Sequence, residues 1–305
     1  MAKSQMLKRL RHRLRLPVIR LAFKLFSNLS LAVSHRAGAV VGWLIWAFNG
    51  EMRKVSEQNI NACFPQLNQK ERDALVKKSL IETGKTMAEV PILWQGKEGA
   101  FDSKITRVNG KEIFDNAVAA GKGIVVFAPH LGSWEVSGLY LSKHFPMVTM
   151  YKPSHIEGVD DLIQNGRTRF GTRLVATDLT GVRQLLQGLK KGDLVGMLPD
   201  QDPGRNGGEF APFFGIPANT MTLANKILTK SGAIGIFCIA KRLDAGEGYE
   251  IVITEANKTL SNEDIEQAIT AMNADLEKII LTCPEQYQWS YKRFKTQPNG
   301  QKFYQ

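Results

Sequence analysis

Residues 123–135 read GIVVFAPHLGSWE. The run from Ile124 to Phe127 is apolar without interruption and opens on three β-branched residues, the pattern of a strand buried on both faces. Pro129 ends it, Gly132 permits a tight turn, and Ser133 is a natural N-cap. Glu135 then falls in the first turn of a helix, where the dipole favours a carboxylate. Strand, turn and helix in this order are the unit of an α/β sheet, and such sheets gather their chemistry at the strand ends. His130 and Glu135 are therefore the first candidates. Folded back, Glu135 would accept a hydrogen bond from one ring nitrogen of His130 and fix its tautomer. The other nitrogen would be left to take a proton from an alcohol. A histidine five residues before a glutamate also occurs in purely structural settings. Ser133 as a nucleophile is a further reading, although its surroundings lack the G-x-S-x-G elbow.

The same alternation continues downstream. MVTMY (147–151), DLVGMLP (193–199), GAIGIFCIAKRL (232–243) and YEIVITE (249–255) read as strands. TGVRQLLQGLKKG (180–192) and TMTLANKILTKSG (220–232) between them read as helices. The expected fold class is α/β, a mixed but largely parallel sheet flanked by helices. Residues 51–122 read as helical: Asn68 with Glu71 resembles a capping box, and Leu75, Leu80, Met87 and Val90 carry an apolar face to Pro91. A last helix is bounded by Ser261, with Asp264 three residues on, and by Pro284. No internal repeat or long linker is visible, so the chain is expected to comprise an N-terminal segment, 1–50, and one α/β domain, 51–305.

At 305 residues, 43% apolar and 23% charged, the composition is that of a globular protein and excludes a disordered or collagen-like chain. Of the net charge of +11, nine units come from residues 1–50, whose nine Lys and Arg all precede the first acidic residue, Glu51. The rest is nearly balanced, which removes any general reason to expect nucleic acid as a partner. Cys63, Cys238 and Cys283 are odd in number and lack C-x-x-C spacing, so neither a disulfide framework nor a structural zinc site is expected; a reducing compartment fits best.

The basic run KRLRHRLR (8–15) is followed by an apolar stretch to Gly50, whose longest uncharged pieces are Leu25–Ser34 and Ala37–Gly50. Both fall short of the roughly 18 residues of a spanning helix. Arg20 and Lys24 share a helical face, while Val18, Leu21, Leu25 and the Trp43/Trp46 pair can turn toward lipid. The expectation is a shallow anchor on an anionic membrane surface. A cleaved signal peptide, a basic arm for nucleic acid and a core helix with a solvated end are the competing readings.

HLGSWE (130–135) resembles the H-x4-(D/E) motif of the late acyltransferases of lipid A biosynthesis, the lauroyl/myristoyl family within the wider glycerolipid-type acyltransferases. VSEQNINACFPQL (55–67), NGRTRFG (165–171), MLPDQDPGRNGGEFAPFFGIPANT (197–220) and PEQYQWSYKRFK (284–295) resemble stretches of the same family in the same order. The resemblance implies a glycerolipid-acyltransferase-like α/β fold. It also implies transfer of a fatty acyl chain from acyl carrier protein to a hydroxyl of a Kdo-bearing lipid A precursor, at the cytoplasmic face of the bacterial inner membrane. His130 and Glu135 would be the catalytic pair, with no cofactor and no metal.

Around that pair, Arg167 and Arg169 suit phosphate or Glu135 contacts, Arg169 being favoured as the site arginine; the plain alternative is solvated surface. Asp200, Gln201 and Asp202 lie at a strand end as substrate-binding candidates or as ordinary turn residues ahead of a Pro/Gly-rich loop. Phe210, Phe213 and Phe214 are assigned to an acyl slot, against the alternative of plain core. Arg293, with Lys292, is a candidate for the acidic donor protein or lipid phosphates. Two rival functions stay open: a membrane-attached glycosyltransferase using Asp200-Gln201-Asp202 as a D-x-D metal site, and a membrane-binding protein without catalysis. No motif locates a ruler for acyl chain length.

Overall fold

The computed structural model describes residues 16–97, 99–153 and 159–304; the basic run 8–15 lies outside them. Seven strands form one sheet: β1 (Ile105–Asn109), β2 (Ile124–Phe127), β3 (Met147–Tyr151), β4 (Arg173–Ala176), β5 (Leu194–Met197), β8 (Ile234–Arg242) and β9 (Tyr249–Glu255). Their order is β1-β9-β8-β2-β5-β3-β4, parallel throughout except for the β8–β9 pair. The mixed, largely parallel α/β sheet is thus as the sequence predicts. All four residues of β2 are buried. Val125 and Phe127 enter the core on one face, Ile124 and Val126 that on the other. Each such side chain contributes about 1.5–3 kcal/mol relative to exposure. This strand anchors the sheet at its centre and carries the residues that follow it.

The helices are α1 (16–26), α2 (Leu31–Ala47), α3 (Glu51–Cys63), α4 (Gln69–Gln95), α5 (Gly99–Asp102), α6 (Lys111–Ala119), α7 (Trp134–His144), α8 (Asp160–Thr168), α9 (Leu179–Lys190), α10 (Leu223–Ser231) and α11 (Ile265–Ile280). Asn68 and Glu71 form a complete capping box at the start of α4. Pro91 does not end that helix, which runs on to Gln95. The proline costs α4 only the bond to the carbonyl of Met87, a half-exposed residue. Residues 51–122 are not wholly helical either, since they contain the edge strand β1. The last helix is capped by Asp264, which accepts from the Gln267 amide, while Ser261 closes a 3-10 turn before it.

The Pro/Gly-rich run after Asp202 is a loop only over residues 203–207. β6 (Gly208–Phe213) and β7 (Ile216–Met221) pair antiparallel across Phe214 and Gly215, both at positive φ. Its prolines, Pro212 and Pro217, face each other in a two-stranded ribbon, where the missing donor is tolerated.

α2 packs along α4 through small residues. A Cβ at Gly42 would collide with the Leu80 carbonyl, and one at Gly84 with the Gly38 carbonyl, so the helix backbones nearly touch. Most large apolar side chains of α2, Val33, Val40, Val41, Trp43 and Leu44, are exposed, as is Phe48 just beyond it, while Leu31 is buried and Ile45 packs on the core. Trp46 departs from the expectation for a lipid-facing pair with Trp43: it packs against the core, with the cations of Arg53 and Lys77 5.2 and 4.6 Å from its ring.

Candidate active site

β2 and β5 are neighbours in parallel register, with Phe127 opposite Met197. His130 and Asp200 each lie three residues beyond that pair, so the sheet itself delivers them to one another. Asp200 Oδ1 lies 2.9 Å from His130 Nδ1, and its Oδ2 accepts the His130 backbone N–H at 2.9 Å. An ionised carboxylate only accepts, so Nδ1 carries the proton and Nε2 presents its lone pair. Gln201 Nε2, 3.2 Å away, donates to that nitrogen and also, at 3.3 Å, to Gln288 Oε1. Asp200 is buried, which raises a carboxyl's pKa, yet the charge and hydrogen bonds of His130 hold it below its ordinary 3.8. Burial, and then the charge on Asp200, push the buried phenol of Tyr287 well up, so it stays protonated. The His130 side chain keeps 14% exposure, enough to be reached.

Glu135 does not orient His130. Its carboxylate is turned to Arg167, whose Nη2 and Nε donate to Oε1 at 2.5 and 3.1 Å, and to Trp94, whose indole N–H donates to Oε2 at 3.1 Å. Trp94 comes from the end of α4 and Arg167 from the end of α8, and Gly166 makes their approach possible, because a Cβ there would enter the Trp94 ring. Burial works against the charge of Arg167, and Glu135 more than compensates, holding the guanidinium firmly charged. Of the two arginines in this segment, Arg167 therefore stands in the site. Arg169 donates to the carbonyls of Leu93 and Gly96, closing the C-terminus of α4, and stacks on Phe170 at 4.6 Å.

Asp200 and Asp202, paired in the D-x-D reading, face different partners. Asp202 accepts from Gly204 N at 2.7 Å, Asn219 Nδ2 at 3.0 Å and Thr296 N at 3.1 Å, bracing its own loop. Nor do the three phenylalanines form one slot. Phe213 is fully buried, Phe214 packs on Phe64 and Trp289, and Phe210 is exposed on the ribbon. Arg293 is 2% exposed; it donates to Asn219 O at 2.6 Å and Thr220 Oγ1 at 2.8 Å, over the Phe213 ring. It holds the ribbon and is not presented to a substrate. Lys292 is half-exposed and pairs with Glu51.

The turn after β2 is stitched from several sides. Gly132 has φ +61, and a Cβ there would strike the Ala240 carbonyl, so this position requires glycine. Ser133 N donates to Ala240 O, Gly132 N to Gln286 O, and Gln288 N to His130 O. Ser133 stands at the N-cap of α7 without a side-chain cap bond. Asn59 of α3 in turn donates to the carbonyls of Trp289 and Tyr291. Of the stretches singled out in the sequence, those at 197–220 and 284–295 thus meet 130–135 at His130, that at 165–171 reaches Glu135, and that at 55–67 braces 284–295. Trp94 and the buried Arg242, which reaches Gly132 O, carry no signal in the sequence beyond their residue types, and Gln288 is marked only by standing in the 284–295 stretch.

Behind Trp134 and Glu135, α7 and the ends of β3 and β5 enclose a cavity of about 80 Å³, walled by Leu139, Met147, Met150 and Met197 with Arg167 at its rim. A reachable imidazole with a fixed tautomer, beside an apolar cavity and a held cation, suits proton removal from a hydroxyl attacking an acyl group.

Comparison with known proteins agrees. The family model for bacterial lipid A biosynthesis acyltransferase matches residues 18–296. The lipid A biosynthesis lauroyltransferase of Escherichia coli K12 is 28% identical over 90% of this chain and 89% of its own length. The palmitoleoyltransferase of the same strain is 29% identical over 87% and 85%, and its myristoyltransferase 25% over 83% and 80%. With the match running along nearly the whole length, this chain belongs to the family of bacterial lipid A biosynthesis acyltransferases.

Proposed function

We propose that this acyltransferase moves a fatty acyl chain from acyl carrier protein to a hydroxyl of a Kdo-bearing lipid A precursor, at the cytoplasmic face of the bacterial inner membrane. The observation that carries the mechanism is the Asp200–His130 Nδ1 bond, which leaves Nε2 as the base. His130 takes the acceptor's proton as its oxygen attacks the thioester carbonyl, and Asp200 steadies the imidazolium. The C–S bond then breaks and the same proton passes to the departing sulfur. Glu135 acts through Arg167, keeping a cation at the cavity rim where negative charge develops. Relatives named for lauroyl, palmitoleoyl and myristoyl transfer have similar identities to this chain, so chain length is left to experiment.

Mass spectrometry of the precursor incubated with acyl carrier protein donors tests this reading. Wild type is expected to add an acyl chain, and His130→Ala to lose about 10²–10⁴ in rate while remaining folded. Near-normal transfer by His130→Ala overturns the mechanism.

Membrane attachment is supported by the packing of α2, whose Gly38 and Gly42 face α4 while Val33, Val40, Val41, Trp43 and Leu44 stay exposed. No single described helix is long and apolar enough to cross a membrane; α2 and α3 together pass on length and composition but are bent by 82°. A shallow anchor is the reading these facts favour. Replacing Val40 and Trp43 together by Asp should reduce recovery on anionic vesicles at least about tenfold in flotation. Unchanged recovery would remove α2 from the anchor.

A further inference from the structure

Trp134 borders two separate cavities. One is the α7 cavity of about 80 Å³ already described. The other, of about 180 Å³, lies against α4 beside Thr86, Met87 and Val90 and is closed by Gln286 and Gln288. The indole stands between them, its ring centroid 5.0 Å from that of His130. The two cavities differ in chemistry. The α7 cavity has apolar walls and a charged rim, Glu135 with Arg167. The α4 groove has a half-exposed methionine at one side and a glutamine pair at the other. Gln201 links that pair to the base, since its amide reaches both His130 Nε2 and Gln288 Oε1.

We infer that Trp134 is a partition that assigns the two substrates to opposite sides of His130, the donor's acyl tail to the α7 cavity and the hydroxyl-bearing chain of the acceptor to the α4 groove. This rests on the acyl-transfer reading above. At about 80 Å³ the α7 cavity is smaller than a lauroyl tail, and its unbranched, adaptable methionine walls are the side chains that swing aside to admit one. The α4 groove opens beside Met87, on the helix against which the outward-apolar α2 packs, and the nitrogen that takes the proton is tied to that groove through Gln201 and Gln288. An indole is the largest planar apolar wall available to a protein, and at this position it separates two greasy chains that would otherwise share one space. It also keeps water from the thioester. Where the wall fails, a water gives a proton to His130 as its oxygen bonds to the acyl carbon, the C–S bond breaks, and His130 passes that proton to the departing sulfur.

The test uses the full chain in detergent micelles with lauroyl-acyl carrier protein and the Kdo-bearing precursor, following transfer and thioester hydrolysis separately. Trp134→Ala is expected to lower transfer at least about tenfold and to raise the ratio of hydrolysis to transfer by a similar factor, while Trp134→Phe keeps most transfer. A precursor analogue lacking the accepting hydroxyl should compete with acceptor alone in wild type and with both substrates in Trp134→Ala. In wild type itself, a donor with a diazirine at its acyl terminus should crosslink to Met147 or Met150 and not to Met87. A Trp134→Ala enzyme with the wild-type ratio and inhibition pattern, or crosslinks at Met87, overturns the partition. Absence of transfer by wild type, or its persistence in His130→Ala, would instead overturn the acyl-transfer reading and the partition with it.

Discussion

Asp200→Asn is expected to lower kcat by about 10²–10⁴ with a smaller change in KM. The carboxylate has two donors to serve, the ring N–H at Nδ1 and the backbone N–H of His130. An amide has one accepting oxygen. If that oxygen faces the backbone N–H, the amide's NH2 faces Nδ1 and drives the ring proton to Nε2, so the lone pair needed for deprotonation disappears. If it faces the ring, two donors confront each other in a buried space, at about 1–3 kcal/mol. Either way the negative charge that steadies the imidazolium is gone. The carboxyl is held below its ordinary 3.8, so in wild type its contribution is present above that value and is lost only as pH falls further. A kcat within about threefold of wild type would show that Asp200 does not set the tautomer.

How far this pair was legible in the sequence depends on strand order. The apolar runs at 124–127 and 194–197 both announce strands, and His130 and Asp200 both follow strand ends. Nothing local says that these strands are neighbours, and that adjacency is what makes Asp200 the partner of the ring. Glu135 was the natural choice because it is near in sequence, but its position at the start of α7 aims it at Arg167 and Trp94, from α8 and α4. Proximity along the chain is a poor guide wherever a parallel sheet brings distant loops to one edge.

The same holds for other side chains. Arg293 carries a charge and stands in a motif, yet it is consumed by one carbonyl and one hydroxyl of a ribbon that glycines and prolines disguise as a loop. Phe213 and Phe214 are consecutive, and the positive φ of Phe214 sends both rings into the core around Trp289 and Phe294. What reads well from sequence is periodicity, as in β2 and α9, and local capping, as at Asn68. What does not read is the identity of a side chain's distant partner.

Replacing Arg242 by Met is expected to destabilise the protein by about 3–5 kcal/mol, a large part of the 5–15 typical of a folded domain. Its guanidinium is 1% exposed and donates to Glu89 through Nε and Nη2 at 2.9 and 2.8 Å, to Glu82 at 2.8 Å and to Thr86 at 2.8 Å. His35 and Tyr249 also meet Glu89, each at 2.8 or 2.9 Å. Burial alone would push the Glu89 carboxyl up; the charge of Arg242, then its hydrogen bonds and those of His35, bring it down to about 2. In wild type the stability from this group is present above its ordinary 4.5 and is lost as pH falls from there toward 2. Without the arginine the sign reverses. Burial then dominates, the folded state prefers the protonated acid, and stability falls as pH rises above 4.5. Acidification from pH 7 to about 5 should thus raise the melting temperature of Arg242→Met while leaving wild type nearly unchanged. Adding Glu89→Gln should recover part of the loss, because the stranded charge is removed with it. A variant that melts within about 1 kcal/mol of wild type, with the same pH slope, would refute the account. The same arginine also donates to the Gly132 carbonyl and pairs through its backbone with Gln286, so α2, α4, β8 and the turn after His130 share one buried charge. Loss of that charge should therefore loosen the catalytic turn at temperatures well below melting, seen as faster amide exchange at Gly132 and Ser133.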